Sequence, residues 1–80
     1  MIEPEIIVEK IREALPDAEV DVEDLTGTKD HYKARVVASQ FEGESRVTRH
    51  RMIYEALSEE MKGPIHALTL EVYTPDEWEQ

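Results

Sequence analysis

Eighty residues suffice for one domain, expected to span 1–80, with a single small core near the lower limit of what folds without staples. The chain has no cysteine, which excludes disulfides, thiolate ligands and a thiol nucleophile of its own; any metal held by sulfur needs a partner. A formal net charge of −10 argues against a general nucleic-acid binder, whose non-specific affinity comes from basic groups neutralising phosphates.

The first residues are acidic and soon helical, with no apolar run long enough for a signal peptide or a membrane span, so a soluble, cytoplasmic protein is expected. Glu3-Pro4-Glu5 starts a helix: proline is tolerated in the first turn, and acids suit the positive end of the helix dipole. Ile7, Val8, Ile11, Ala14 and Leu15 recur at helical spacing as a core stripe, and Pro16-Asp17 ends the element. Glu19-Val20-Asp21-Val22-Glu23-Asp24 alternates with period two, as a strand with one buried face does. After the turn-rich Thr26-Gly27-Thr28-Lys29-Asp30, the alternation resumes from Tyr32 to Ala38, which predicts an antiparallel hairpin with Gly27 at positive φ. His31 lies where this loop enters the second strand.

Phe41-Glu42-Gly43 leads out of that strand, and Ser45 is placed to cap a helix. Val47, His50, Ile53, Ala56, Leu57 and Met61 then form one apolar stripe carrying a histidine, with a break near Leu57 that divides the block into a long and a short piece. Gly63-Pro64 stops it. Ile65 to Tyr73 is apolar nearly throughout, as expected of a strand with little exposure. Thr74-Pro75-Asp76-Glu77 carries a capping box and proline at the first helical position, so a last helical turn holds Trp78.

The order is α-β-β-α-α-β plus a short C-terminal helical turn: an α+β domain with a three-stranded mixed sheet. The long helical crossover makes the second and third strands parallel, with the second strand central. Parallel strands start at one end of a sheet, so His31 and His66 should share one edge of the molecule. Two converging imidazoles suit a metal, although four ligands would then require other donors, such as the Asp30 carboxylate. The same two residues also read as a solvated loop histidine and a strand histidine bonded to backbone.

Charge is divided along the chain. Six basic residues (Lys29, Lys33, Arg35, Arg46, Arg49 and Arg51) stand against three acids (Asp30, Glu42 and Glu44) between positions 29 and 51, and acids dominate elsewhere. One face is then basic, and Arg46, Arg49, His50 and Arg51 are the candidate contacts to a partner or to nucleic acid.

Four motifs in order, Phe41-x-Gly43, Arg49-His50-Arg51-x-Ile53-Tyr54, Ile65-His66-Ala67-Leu68 and Thr74-Pro75-x-Glu77-Trp78, resemble the BolA family over nearly the whole chain. The resemblance implies the class II KH-like fold and a non-enzymatic partner of monothiol glutaredoxins, active in iron-sulfur trafficking or iron and redox regulation. It also implies a shared [2Fe-2S] cluster, with His66 as the family's C-terminal histidine ligand and His31 as its variable second ligand. His50 is a third candidate whose stripe position suggests packing or hydrogen bonding. A glutaredoxin cysteine and a glutathione thiolate would complete the set, with no cofactor in the isolated chain. A weak homodimer is compatible with this reading.

The alternative is a DNA-binding transcriptional regulator that uses the basic helical stretch from Arg46 to Arg51, without the Gly-x-x-Gly loop by which KH domains clamp nucleotides. An enzyme is not expected: the chain has no Gly-rich phosphate loop and no serine, histidine and acid set at recognisable spacing.

Overall fold

A computed structural model describes residues 2–28 and 30–79; Lys29, one member of the basic set, lies outside them. Helix α1 (Pro4–Ala14) is followed by strands β1 (Glu19–Asp24) and β2 (His31–Val37), a 3-10 turn (Ser39–Phe41), helix α2 (Arg46–Ala56), a second 3-10 turn (Glu60–Lys62), strand β3 (Ala67–Tyr73) and the single turn α3 (Pro75–Trp78). The sheet order is β1-β2-β3. β1 runs antiparallel to β2, with Asp21 opposite Arg35, and β3 runs parallel to β2, with His31 opposite Ala67 and Val37 opposite Tyr73. This is the mixed α+β sheet with a central second strand that the sequence predicts.

Helices cover one face of the sheet. Ile7, Ile11 and Leu15 of the first helical segment, Ile53 and Leu57 of the second, Tyr32 and Val36 of β2, Val72 of β3 and Phe41 form one buried cluster. Val20, Val22, Leu68 and Leu70 pack against it. The opposite face is open: Glu19, Asp21, Glu23, Ala67 and Thr69 are exposed there, while His31, Lys33 and Arg35 are half-buried along the middle strand. β3 is therefore half-exposed, contrary to the expectation from its composition: among the described residues its outer side meets the Trp78 ring of α3, 5.4 Å from Tyr73, but no second helical layer. His31 is the first residue of β2 rather than part of the loop.

Local signals account for the turns. Gly27 and Gly43 take φ of 77° and 80°, a region costly for any residue with a Cβ. Ser45 accepts from the Thr48 amide as the α2 cap, and Thr74 and Glu77 make the reciprocal capping box of α3.

Three details of the helices differ from expectation. Ala14 is exposed, since α1 buries only Ile7 and Ile11 before Leu15 closes it. The short piece after Leu57 is a 3-10 turn. The buried stripe of the second helical block is Arg49, Ile53 and Leu57, whereas Val47 is 66% exposed and His50 is half-buried. The block is rotated about its axis because an arginine takes a core-facing position that hydropathy alone assigns to an apolar residue.

Candidate metal rim and its surroundings

His31 and His66 meet. Their ring centroids are 5.1 Å apart, tilted by 52°, at the end of the sheet where β2 and β3 begin. The backbone carbonyl of Asp30 accepts from the His66 amide at 2.8 Å and the Ala67 amide at 3.1 Å, which ties the start of one strand to the start of the other. His66 itself is exposed and just precedes β3.

Asp30 also orients the imidazole next to it. Its carboxylate Oδ1 lies 3.0 Å from His31 Nδ1 and accepts from the Thr28 hydroxyl. The Thr28 hydrogen bond first, and the His31 hydrogen bond second, lower the Asp30 pKa to about 2. An ionised carboxylate can only accept, so a neutral His31 carries its proton on Nδ1 and leaves Nε2 unprotonated. Asp30 is thus engaged as an orienting group, the relation by which metal-binding histidines are commonly held, rather than standing free as a ligand. Sequence reasoning named Asp30 only as a possible donor; its position immediately before a histidine at a strand start was the available signal.

At this rim His66 is exposed and His31 is half-buried. Among the described residues no group of three or more His, Cys, Asp or Glu side chains comes together to hold a metal. Two imidazoles this close are chemically suited to supply two nitrogen donors to a metal, and a full set of four would need donors beyond these two.

The four predicted contact residues separate. Arg46 and Arg51 are exposed and His50 is half-buried on α2. Arg49, with 9% of its side chain exposed, turns inward and is removed from the contact set. Its guanidinium donates to Glu77 Oε1 at 2.7 Å and Oε2 at 3.3 Å, to the Glu44 carbonyl at 3.0 Å and to the Val72 carbonyl at 3.4 Å, and it lies 5.7 Å from the Phe41 ring. A fork of donors in one plane matches this set of acceptors, which is why arginine can occupy a buried position. The Arg49 hydrogen bond, then the Thr74 backbone amide, lower the Glu77 pKa to about 2.

No helix among the described residues is long and apolar enough to cross a membrane. The profile described as BolA-like protein matches residues 5–77. The chain is 48% identical over 54 residues to BolA-like protein 1 of Mus musculus, a match covering 68% of this chain and 39% of that protein. It therefore spans about two fifths of the length of the mammalian relatives it matches. It is 40% identical over 82 residues to the DNA-binding transcriptional regulator BolA of Escherichia coli, covering 94% of this chain and 78% of that one. The solved structure of a BolA homologue from Coxiella burnetii superposes with a TM-score of 0.86 at 38% identity, covering 100% of both chains. With a profile match over most of its length and this agreement in sequence and fold, the chain belongs to the BolA-like protein family.

Proposed function

We propose that this protein acts as a non-enzymatic partner of a monothiol glutaredoxin, co-ligating a bridging [2Fe-2S] cluster through His66 and His31 in iron-sulfur trafficking or iron and redox regulation. The observation that carries this reading is the approach of the exposed His66 ring to the half-buried His31 ring, 5.1 Å between centroids, at the shared start of β2 and β3. The Asp30 carboxylate hydrogen-bonds the His31 ring at Nδ1, a contact of the kind that orients metal-binding histidines, which supports the reading. A cysteine-free chain needs the glutaredoxin cysteine and a glutathione thiolate to complete four ligands, and histidine in place of cysteine raises a cluster's potential.

The test is anaerobic reconstitution of the complex with a monothiol glutaredoxin and glutathione. His66→Ala is expected to change the visible spectrum of the complex and weaken it, and His31→Ala to change the spectrum. An unchanged spectrum and affinity in the His66 variant removes His66 from the site.

A second reading, DNA binding, is supported by the name of the Escherichia coli relative, at 40% identity, and by the exposure of Arg46 and Arg51 on one helix. It uses a different part of the surface from the imidazole rim and is compatible with the first.

A further inference from the structure

β3 is an edge of the sheet, and its hydrogen-bonding groups divide by parity. The Ala67 amide donates to Asp30, and the Tyr73 carbonyl accepts from Ala38. In a parallel ladder alternate residues aim both groups at the same neighbour, so Ala67, Thr69, Glu71 and Tyr73 serve β2. Leu68, Leu70 and Val72 therefore direct their N–H and C=O groups away from the sheet. The Val72 carbonyl receives the Arg49 guanidinium, which covers one end of this row. Beside that end lies a groove of about 270 Å³ lined by Arg46 and His50 of α2 and by Leu70, Glu71, Val72 and Tyr73, and Leu68 continues the row beyond it.

The groove has the Arg46 cation in its lining, in a chain of net charge −10. Arg46 is exposed and makes no ion pair among the described residues. The one carboxylate in the lining, Glu71, is held at 3.4 Å by Lys33. Ser45 caps α2 there, so the positive end of the helix dipole adds to Arg46.

We propose that the β3 edge is a docking track for an extended acidic segment of a partner protein, which adds as a fourth strand beside β3. Backbone pairing with Leu68 and Leu70 gives affinity, and a carboxylate reaching Arg46 gives selectivity, the division of labour general to strand addition. A second copy of this chain fits less well, because pairing β3 with β3 would set the Arg46 and His50 groups of both copies along one groove. The track ends at His66, so a segment docked on it would lead its parent protein to the imidazole rim, although the proposal does not depend on a cluster.

The test uses the intact protein, without iron, and a synthetic capped pentapeptide, Val-Glu-Val-Asp-Val, with a lysine-substituted counterpart. The acidic peptide is expected to shift the amide resonances of Leu68, Leu70 and Val72 and slow their hydrogen exchange by at least about tenfold at saturation. Arg46→Glu should weaken binding by about tenfold, and the lysine peptide should not bind. Unaltered exchange at these amides in millimolar peptide, or shifts centred elsewhere, overturns the proposal. So does equal binding of the lysine peptide. Protection that grows with protein concentration in the absence of peptide would identify a second copy as the occupant and overturn the partner assignment. Because no metal is present, none of these outcomes bears on the cluster reading.

Discussion

Glu77 joins two pieces of the chain through two oxygens. One oxygen takes the Thr74 amide and the Arg49 guanidinium, and the other takes Arg49 again, so the C-terminal turn is fastened to α2. Held by Arg49 and by that amide, the carboxyl has a pKa of about 2 in place of its ordinary 4.5. A depressed carboxylate pKa contributes stability that is present above the unfolded value and is lost as pH falls through the folded one. Glu77→Gln should therefore flatten the decline in stability between about pH 4.5 and about pH 2, measured as urea midpoints across that range. An acid limb identical to that of the parent protein would show that the ion pair makes no contribution. Asp30, lowered from 3.8 to about 2, loses its contribution within an overlapping window by the same logic, which is why the comparison needs the Glu77 variant and not the pH dependence of the parent alone.

At the scale of elements, α2 depends on its entry. Gly43 at φ 80° turns the chain after the Ser39–Phe41 turn, and Ser45 then supplies the oxygen that the Thr48 amide needs. A Cβ at Gly43 would meet nothing within 4 Å, so Gly43→Ala tests backbone strain alone. It should cost about 1 kcal/mol, the usual penalty for left-handed backbone in a residue other than glycine. Ser45→Ala should cost about 1 kcal/mol by leaving an orphan amide at the helix start. Denaturant midpoints check both; a neutral Gly43→Ala would mean that the turn relaxes to negative φ. The face of α2 is decided by Arg49 and not by hydropathy. Once its guanidinium is satisfied by Glu77 and two carbonyls, Ile53 and Leu57 follow it inward and Val47 and Tyr54 are left outside. Tyr32 shows the same economy in β2: fully buried, it meets the N-terminal segment by donating its hydroxyl to the Ile2 carbonyl, and burial raises its pKa.

Across the whole molecule the distribution of charge matters more than its sum. Arg46 and Arg51 project from α2 while Arg49 is internal, and the β1 face carries Glu19, Asp21 and Glu23. If DNA binding is an activity of this chain, Arg46→Ala with Arg51→Ala should lower affinity across sequences and reduce the salt slope by about 2, roughly one per phosphate contact removed. Filter binding or fluorescence anisotropy over a salt series measures this. An unchanged slope would place the contacts elsewhere.

Most of the architecture was legible because it rests on local chemistry: proline and acids opening α1, period-two alternation in β1 and β2, Gly27 in the hairpin turn, Ser45 and the Thr74-Glu77 box at helix starts. The long crossover then required β2 and β3 to be parallel, which was enough to bring His31 and His66 to one end of the sheet. Tertiary structure alone decided what composition could not encode. It placed Arg49 inside, because its burial is tolerable only when acceptors from residues 44, 72 and 77 converge on it. It left one face of β3 open, because apolar content does not reveal whether a second layer exists to cover a strand. And it gave Asp30 its two tasks at the rim, since its carbonyl can clasp the start of β3 only after the sheet has formed.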